Sequence, residues 1–434
     1  MNQGAHKVRV AVLGAGVVGT EVIRGLTEHA QEFRARTGTE LELVGIGVRS
    51  LQTPRDPAVP VDLLTDDLHQ LVHRADLVVE LMGGIEPART MILESLAAGA
   101  GVVTANKALL AQHGPQLYEA ADAAHADLLF EAAVAGAVPV VRGLRESLAG
   151  DRITRVLGVV NGTTNYILDE MTNSGLDFET ALAQAQQLGY AEANPTADVE
   201  GLDAAAKAAI IASLAFHTRT SIADVPVQGI SQITPGDIDS AAQTGHVIKL
   251  LAIAEVGAHV GTPGMAVRVH PALVPVDHPL ASVRGPYNAV FVEAAAAGTL
   301  MFYGAGAGGV ATSSAVLGDV VAAARNLVNG GKAPAESAHA ALAPMPAEAV
   351  LTRYQIRIEV LDQPGVLSEV AALVARRGVS IETVRQGTHA SEDAAELVIV
   401  THVASESALA ATVVDLDTLG VVQRITSVLR VEGN

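Results

Sequence analysis

The chain has 434 residues, enough for roughly three domains of about 150 residues each. Its 49% hydrophobic and 17% charged residues are typical of a globular protein rather than a disordered one. Lys+Arg 28 against Asp+Glu 47 give a formal net charge of −19, which disfavours nucleic acid and anionic membranes as partners. Because the chain contains no cysteine, disulfides, thiolate metal sites and cysteine nucleophiles are excluded.

No targeting or membrane-spanning segment is predicted. The first residues, MNQGAHKVRVAVLGAG, lead directly into a strand-like alternation, without the apolar stretch and cleavage site of a signal peptide. The stretch from Ala294 to Gly318 carries no charge and is long enough to suggest a membrane span, but glycines interrupt it repeatedly. We interpret it as a strand, a glycine loop and a helix, and we expect a cytoplasmic protein.

The first part of the chain alternates short apolar strands with helical stretches. The predicted elements are strands at 8–13, 41–48, 77–81, 101–105 and 128–134, and helices at 17–26 and 88–98. This alternation is typical of βαβ units, which build a doubly wound parallel sheet. Residues 1–134 are therefore predicted to form one α/β domain.

After about residue 135 the pattern becomes a mixture of helices and strands without regular alternation. The predicted elements are helices at 138–148, 200–217 and 313–328, strands at 152–160, 266–270, 289–293 and 300–303, and a long loop at 189–199. We predict an α+β domain over 135–312, and we assign helix 313–329 to the first domain.

A stretch rich in Ala, Pro, Gly and Ser, residues 330–351, is predicted to be a linker. The elements predicted beyond it are strands at 354–360, 379–385, 395–403 and 425–431, and helices at 366–377 and 407–419. The order βαββαβ predicts a small ferredoxin-like domain over 352–434.

A glycine motif, G-x-G-x-x-G, follows the first strand and opens the first helix. Its residues are Gly14, Ala15, Gly16, Val17, Val18 and Gly19. In this context the glycines permit a tight turn and bring backbone N–H groups to a pyrophosphate at the helix N-terminus. The motif predicts a dinucleotide site in the first domain, with a plain glycine turn as the alternative.

The residues at the end of the second strand indicate which nicotinamide cofactor binds. Val48-Arg49-Ser50 ends the second strand without the acid that NAD sites usually place there, and an arginine with a hydroxyl suits a 2′-phosphate. We predict NADP, with NAD possible if Arg49 is only a solvated surface charge.

Thr104-Ala105-Asn106-Lys107 lies at the carboxyl end of a strand, where ligands bind in open parallel sheets. Thr104 and Lys107 are candidates for cofactor or substrate contact, with an ordinary lysine at a helix start as the alternative.

The segment LGYAEANPTADVEGLDAAAKAAIIASLAF places charges within small apolar residues. With a helix beginning near Asp198, the side chains of Glu200, Asp203 and Lys207 fall on one face. Burial lowers the pKa of a lysine and the carboxylate at i−4 raises it, so the balance can tune Lys207 as a general acid/base. Glu192, in the preceding loop, is placed to bind an ammonium group. The alternative is a structural salt bridge on a solvated helix face.

Three polar or glycine-rich loops are candidates for ligand contacts. They are Asn161-Gly162-Thr163 after a strand, the loop before helix 313–328 with Gly306 and Gly308, and Asp362-Gln363-Pro364-Gly365-Val366-Leu367 in the last domain. Their alternatives, in the same order, are a helix cap, a flexible turn and a structural turn.

His69 and His73 lie at i and i+4 without a third ligand, which favours a surface helix face over a metal pair.

In combination and order, these segments resemble homoserine dehydrogenase over nearly the whole chain. The segments that carry the resemblance are VAVLGAGVVG, TANKALLA, FEAAVAGAVPVV, GVVNGTTNYIL, LGYAEANPTADVEGLDAAAKAAI and YGAGAGGVATSSAVLGDVV. The last domain, with LDQPGVLSEVA, resembles an ACT domain. The resemblance implies a Rossmann-type dinucleotide-binding domain, a catalytic and dimerisation domain and a regulatory domain. It also implies the reversible, NAD(P)H-dependent reduction of L-aspartate 4-semialdehyde to L-homoserine, which leads to threonine, methionine and isoleucine.

The resemblance further implies roles for individual residues. Lys207 would donate the proton to the forming alkoxide, Asp203 would orient it, and Lys107 would be a second candidate for proton transfer. Glu192 would hold the substrate ammonium, and Asp198 matches another acidic position. A structural sodium ion, a homodimer or higher oligomer and L-threonine as the effector of the ACT domain are also implied. The sodium ligands would be Glu131, Val134, Gly136 and Val138.

Two other functions fit parts of the pattern. A phosphoglycerate dehydrogenase-like enzyme would share the Rossmann domain and the ACT tail, but it requires an Arg–Glu–His arrangement in place of the Asp203–Lys207 block. An amino-acid sensor built on an inactive dehydrogenase would not require intact Lys107, Glu192, Asp203 and Lys207. Aspartate-semialdehyde dehydrogenase is excluded, because its mechanism uses a cysteine that the chain lacks.

Overall fold

The computed structural model describes residues 7–259, 262–388 and 394–433. Its strands are β1 (Lys7–Leu13), β2 (Glu40–Gly47), β3 (Leu64–Thr65), β4 (Leu77–Glu80), β5 (Gly101–Thr104), β6 (Leu128–Leu129), β7 (Ile153–Val159), β8 (His246–His259), β9 (Thr262–Pro275), β10 (Tyr287–Ala294), β11 (Gly298–Ala305), β12 (Ala343–Pro344), β13 (Leu351–Leu361), β14 (Ile381–Thr388), β15 (Ala394–Thr401), β16 (Ala404–Ser405) and β17 (Val422–Val431). Its helices are α1 (Val17–Glu28), α2 (Ala30–Thr37), α3 (Leu68–Val72), α4 (Ala88–Ala97), α5 (Lys107–Ala123), α6 (Val140–Arg142), α7 (Gly162–Ser174), α8 (Phe178–Gln187), α9 (Thr196–Val199), α10 (Leu202–Phe216), α11 (Pro235–Gln243), α12 (Gly309–Asn329), α13 (Val366–Arg376) and α14 (Glu406–Asp417).

The chain divides into two compact units, each built from several segments. The first unit comprises the described residues of Met1–Gly162, Asp203–Val225 and Pro286–Ala341, and the second those of Thr163–Leu202, Pro226–Gly285 and Leu342–Asn434. The domain boundaries 1–134, 135–312, 330–351 and 352–434 stay predictions. Within the described ranges, no helix combines the length and the apolar character that crossing a membrane requires.

The first unit contains a parallel sheet in the order β3-β2-β1-β4-β5-β6. Its inner strands are short and β-branched, and Val10 and Val12 are fully buried. They pack with Ile23 of α1 and with Val316 and Val320 of α12 in one apolar core. This is the predicted doubly wound, Rossmann-type sheet, covered by a helix from late in the chain.

The first unit also carries an antiparallel arrangement of β7, β10 and β11. Strand β10 pairs with β7 on one side and β11 on the other, with Phe291 opposite Leu157 and Met301. Strand β7 ends at Val159, immediately before Val160 and Asn161, which lie buried. The residues that follow β7 thus bring two polar groups, the Val160 carbonyl and the Asn161 side chain, to the same part of the first unit.

The second unit contains a mixed sheet in which β8 and β9 form a long antiparallel hairpin. Strand β9 pairs in parallel with β17, and β17 pairs with β13, which continues through β15 to β14. The order β13-α13-β14-β15-α14-β17 confirms the predicted ferredoxin-like βαββαβ fold, with the short strand β16 added before α14. Helices α13 and α14 bury Val370 and Leu409 against this part of the sheet.

Two of the predicted elements that differ from the structure bear on the candidate site. The helix predicted at 200–217 begins at Leu202, because Gly201 adopts a left-handed backbone with φ of 80° and separates it from the short helix α9. Glu200 therefore does not share a helix face with Asp203 and Lys207, which corrects the prediction from spacing. The strand predicted at 128–134 is limited to Leu128–Leu129, since a 3-10 turn follows it at Glu131–Ala133.

Candidate active site

Lys207 and Asp203 form a buried ion pair one turn apart on α10 in the first unit. The Lys207 Nζ donates to Asp203 Oδ2 at 2.7 Å and to the backbone oxygen of Val160 at 2.7 Å. The Asn161 Nδ2 donates to the same Asp203 oxygen at 2.9 Å. The side chains of Lys207 and Asp203 are only 10% and 5% exposed, because α10 is lined with buried alanines that let neighbouring backbone approach closely.

Lys107 brings a second ammonium group to the same carboxylate. It is the first residue of α5, whose N-cap is Asn106, and its Nζ forms an ion pair with Asp203 Oδ1. The Lys107 side chain is 44% exposed, whereas Asp203 is buried. Burial by itself would raise the pKa of the Asp203 carboxyl, but the charges of Lys207 and Lys107 outweigh it and hold that pKa well below its ordinary value. Asp203 is thus a fixed negative charge between two lysines.

A cavity of about 920 Å³ lies over the carboxyl ends of the parallel strands in the first unit. Its wall includes Gly14, Ala15 and Gly16 from the glycine motif, and Arg49 and Ser50 from the end of β2. The turn Leu81–Gly84 after β4 also lines the cavity. The position and size suit a nucleotide, since ligands of open parallel sheets bind at this edge.

The backbone of the glycine motif requires glycine at two places. Gly14 has φ of 105°, and a Cβ there would lie 2.7 Å from the backbone oxygen of Leu81. A Cβ on Gly19 would overlap the backbone oxygen of Gly14. The second glycine loop lies beside the same helix, because a Cβ on Gly309 would lie 2.9 Å from Val17 Cγ1. The two predicted glycine loops therefore meet in the first unit.

The remaining residues predicted to contact the cofactor in the first unit occupy these two loops and the neighbouring strand. Val18 follows Val17 in the first turn of α1, and Gly308 is the N-cap of α12 with φ of 103°. Gly306 lies against Asn288 so closely that a Cβ would overlap the amide. Thr104 is fully buried at the end of β5, and its hydroxyl donates to Glu80 Oε2 at 2.7 Å.

Arg55 is a cavity residue that the sequence analysis missed. Its Nη1 donates to the backbone oxygen of Ala15 at 3.1 Å, and its Nη2 donates to that of Ser50 at 3.2 Å. Its guanidinium therefore joins the glycine motif to the end of β2, where Arg49 is exposed. Arg55 lies in a polar, proline-rich loop, where no hydrophobic periodicity indicates a buried or functional position. The only sequence signal is a second positive charge six residues after Arg49.

Other predicted substrate contacts lie in the second unit. Glu192 is exposed in the loop after α8, and its backbone oxygen accepts from Gln186 Nε2 at 3.1 Å. Asp198 is half-buried in α9. The Thr163 hydroxyl is buried in α7 and donates to the backbone oxygen of Tyr190 at 2.6 Å. The neighbouring Gly162 belongs to the first unit, where a Cβ would lie 2.6 Å from the backbone oxygen of Pro286.

The predicted sodium ligands lie in one turn of the first unit. Glu131 is buried, and its two carboxylate oxygens accept from the backbone N–H groups of Val141 and Arg142 at 2.8 and 2.9 Å. Burial raises the pKa of the Glu131 carboxyl. The turn between Val134 and Val138 includes Gly136, with φ of 65°, and Val138 accepts from the Val140 N–H. A buried carboxylate beside backbone carbonyls is a donor set that fits a hard cation.

His69 and His73 are both exposed. His69 Nδ1 lies 2.8 Å from Glu94 Oε2 at the surface of the first unit. In the ranges that the structure describes, no group of three or more His, Asp or Glu side chains is arranged to hold a metal ion. The surface interpretation of this pair is therefore favoured.

The predicted effector loop lies in the second unit, at the start of α13. Asp362, Pro364 and Leu367 are exposed, and Val366 is buried as the first residue of the helix. Gly365 is the N-cap, with φ of 98°, and the structure records no side-chain capping bond there. The Val366 N–H donates to the backbone oxygen of Gln363 at 3.4 Å, and the turn as a whole is exposed.

Three family models match the chain in order. The model described as "Homoserine dehydrogenase, NAD binding domain" matches residues 14–131, "Homoserine dehydrogenase" matches 139–321, and "ACT domain" matches 354–421. Together they account for the glycine motif, the Asp203–Lys207 pair and the βαββαβ fold.

Relatives and solved structures agree with these matches. The homoserine dehydrogenase of Mycobacterium tuberculosis is 55% identical over 433 residues, 98% of each chain. The crystal structure of a homoserine dehydrogenase from Thiobacillus denitrificans has a TM-score of 0.91 at 37% identity and covers 99% of both chains. A hyperthermophilic archaeal homoserine dehydrogenase, solved in complex with NADPH, covers 73% of this chain and 98% of its own at 27% identity, with a TM-score of 0.61. The chain belongs to the homoserine dehydrogenase family of NAD(P)-dependent oxidoreductases.

Proposed function

We propose that the chain catalyses the reversible reduction of L-aspartate 4-semialdehyde to L-homoserine. The observation that carries this proposal is the buried Asp203 carboxylate held between the ammonium groups of Lys207 and Lys107. Reduction of an aldehyde to an alcohol needs one hydride and one proton, and a lysine held in place by a carboxylate can supply the proton. Membership of the homoserine dehydrogenase family supports the choice of substrate.

Lys207 is the proton donor in this proposal. As hydride reaches the aldehyde carbon, negative charge develops on the oxygen, and the Lys207 Nζ gives that oxygen a proton. Asp203 and the Val160 carbonyl fix the direction of the ammonium group through bonds of 2.7 Å each. Asn161 holds Asp203 in turn, so the donor is oriented before the substrate arrives.

Other residues bind the substrate and offer a second route for the proton. Lys107 is half-exposed and touches Asp203, so it can contact substrate and cofactor and is the second candidate for proton transfer. Glu192 is exposed in its loop and is proposed to hold the substrate ammonium, with Asp198 as a further acidic contact. Asn161, Gly162 and Thr163 are proposed to line the substrate position at the end of β7.

A nicotinamide cofactor, proposed to be NADP, supplies the hydride when it is bound. The glycine motif is proposed to hold the pyrophosphate at the N-terminus of α1, and Gly306, Gly308 and Thr104 to complete the surrounding wall. Arg49 and Arg55 are proposed to meet the 2′-phosphate, because both line the cavity in the segment that follows β2. The relative that was solved with NADPH supports this choice.

The preference for NADP is tested by removing one guanidinium. Arg49→Ala is expected to lower the ratio of kcat/KM for NADP⁺ over that for NAD⁺ by about tenfold, since a charged hydrogen bond contributes about 1.5–3 kcal/mol. Arg74→Ala, a surface arginine outside the cavity wall, is the matched control and is expected to leave the ratio unchanged. An unchanged ratio in Arg49→Ala would contradict the assignment to the 2′-phosphate.

Three further features follow from family membership and stay proposals. Glu131, with the backbone carbonyls of Val134, Gly136 and Val138, is proposed to bind a structural sodium ion. The turn from Asp362 to Leu367 is proposed to bind L-threonine, which would regulate a step toward threonine, methionine and isoleucine. The active form is proposed to be a homodimer in the cytoplasm, and a monomer in light scattering would contradict the oligomeric state.

The direct test is the oxidation of L-homoserine by the purified protein, followed by nicotinamide absorbance. NADP⁺ and NAD⁺ are compared side by side, each with and without L-threonine. We expect faster reduction of NADP⁺ and suppression by threonine. Activity that threonine does not affect would contradict the proposed effector alone. The absence of activity with both cofactors, in folded protein that binds NADPH, would overturn the proposed reaction.

A further inference from the structure

Glu80 is a buried carboxylate that the proposed reaction does not use. It is the last residue of β4 and is fully shielded from solvent. A carboxylate is costly to bury unless several donors satisfy it. The groups that satisfy Glu80 come from two different parts of the candidate site in the first unit.

One carboxylate oxygen holds the wall of the nucleotide cavity. Glu80 Oε1 accepts from the backbone N–H groups of Met82 and Gly83 at 2.8 and 3.2 Å. Met82, Gly83 and Gly84 all line the cavity. Gly83 and Gly84 both have left-handed backbone, with φ of 70° and 73°, so this turn has wide conformational freedom in the absence of such bonds. Glu80 therefore selects one shape of the wall.

The other oxygen holds the start of α5. Glu80 Oε2 accepts from the Thr104 hydroxyl at 2.7 Å, and the Thr104 oxygen accepts from the Asn106 N–H at 3.0 Å. Asn106 in turn caps α5 through the Leu109 N–H at 3.1 Å and donates to the Gly84 backbone oxygen at 2.6 Å. Lys107 is the residue after this cap, so its backbone position depends on the same network.

Burial and hydrogen bonding act in opposite directions on the ionisation of Glu80. Burial raises the pKa of the Glu80 carboxyl, while hydrogen bonds from Thr104 and from the backbone of Met82 and Gly83 oppose the rise. Hydrogen bonds from these donors to a carboxylate are stronger than neutral ones, and low local dielectric strengthens them further. The network links the cavity wall at Met82–Gly84 to the start of α5, which is distant in sequence.

We propose that Glu80 is a positioning residue that couples the nucleotide-binding wall at Met82–Gly84 to Lys107. The part of this proposal that concerns Lys107 rests on the proposed function. The part that concerns the shape of the cavity wall is independent of that function. Glu80 reaches neither the cofactor nor the substrate in this account, but a change in its acceptor oxygens displaces both Met82–Gly84 and the first turn of α5. Cofactor affinity and turnover should therefore fall together.

The test is Glu80→Gln, which keeps the size of the side chain but replaces one acceptor oxygen by a donor. The measurements are NADPH affinity by fluorescence titration, kcat and KM for L-homoserine, and thermal unfolding. We expect NADPH to bind about tenfold more weakly and kcat to fall about 10- to 100-fold, as for a small misplacement of a reacting group. Glu119→Gln, on the exposed surface of α5, is the matched control and should stay within about twofold of the wild type on each measure.

A second variant keeps the proposal falsifiable if Glu80→Gln does not fold. Thr104→Val keeps the β-branched shape and removes the hydroxyl that joins Glu80 to Asn106, while the bonds from Met82 and Gly83 to Glu80 remain. We therefore expect kcat to fall, and NADPH affinity to fall less than in Glu80→Gln. A folded Glu80→Gln variant with wild-type NADPH affinity and kcat would overturn the proposal, as would a loss of melting temperature alone. If the wild type does not oxidise homoserine, the proposed function fails, and weaker NADPH binding by Glu80→Gln still supports the role of Glu80 at the wall.

Discussion

Lys207 and Lys249 are both buried, but their surroundings differ in kind. In the first unit, Lys207 donates to a carboxylate and a backbone oxygen. In the second unit, the Lys249 Nζ donates to Asn165 Oδ1 at 2.9 Å and to the Val283 backbone oxygen at 2.5 Å. Burial lowers the pKa of Lys249 to about 8, although the charge of Asp169 opposes the change.

Burial alone therefore does not distinguish the proposed proton donor, Lys207, from Lys249. Lys207 shares the Asp203 carboxylate with Lys107. The Lys107 ammonium group is held by this ion pair, while its side chain is half-exposed to solvent. Lys249 lies near the start of β8, and its ammonium group is held by uncharged oxygens. We expect changes at Lys207 to affect turnover and changes at Lys249 to affect stability.

The largest expected effect is on turnover in Lys207→Ala. Removal of one acid/base contact should lower kcat for L-homoserine oxidation by about 10²–10⁴-fold. NADPH affinity, measured by fluorescence titration, should stay within about twofold, because Lys207 does not line the nucleotide cavity. Near-normal turnover would remove the distinction between the two lysines.

The next effect is on stability in Asp203→Asn, because it leaves two ammonium groups without their carboxylate. Breaking a buried ion pair should cost about 3–5 kcal/mol in the free energy of unfolding at pH 7. The pKa of Asp203 is lowered by folding, so its contribution is present above the unfolded value of about 3.9 and fades as the pH falls below it. Urea unfolding should show the wild type and variant converging at acid pH, and a constant difference would contradict this account.

A smaller, pH-dependent effect is expected for Lys249→Met. Folding lowers the pKa of Lys249 to about 8 from an unfolded value of about 10.4, so the folded state loses its proton first as the pH rises. The wild type should therefore gain about 2–3 kcal/mol relative to the variant between about pH 8 and pH 10. Urea unfolding across that range measures the gain. Parallel pH profiles would show that Lys249 titrates normally.

The smallest effect on stability is expected for Lys107→Met. Its side chain is half-exposed, so solvent screens the ion pair with Asp203, and the loss should be below about 1 kcal/mol. Turnover should still fall, since Lys107 is proposed to contact both substrate and cofactor. A destabilisation as large as that of Asp203→Asn would show that the two lysines support the carboxylate equally.

Much of the fold followed from local pattern. The start of α1 at Val17 and the βαββαβ order were predictable because glycine motifs and strand alternation are short-range signals. Strand β8 was missed because HVIKLLAIAEVGAH is a nearly continuous apolar run, which periodicity cannot assign to strand or helix. Helix α11 was also missed, although Thr234 and Asp237 form a capping box at its start.

The candidate site was predictable only where partners are close in sequence. Asp203 and Lys207 lie at i and i+4, so their pairing could be predicted from helix geometry. The ion pair of Lys107 with Asp203, the bonds of Glu80 and the contact of Arg55 with Ala15 depend on how distant segments pack. No periodicity in one sequence contains that information.

The central claim is that Lys207 performs chemistry while Lys249 supports structure, and a single-turnover experiment tests it directly. Lys207→Met and Lys249→Met, each saturated with NADP⁺, are mixed with L-homoserine, and the first formation of NADPH is followed, which separates chemistry from product release. We predict a rate at least about 10²-fold below the wild type for Lys207→Met and a rate within about twofold for Lys249→Met. Equal losses in both variants, or a loss in Lys249→Met alone, would contradict the account.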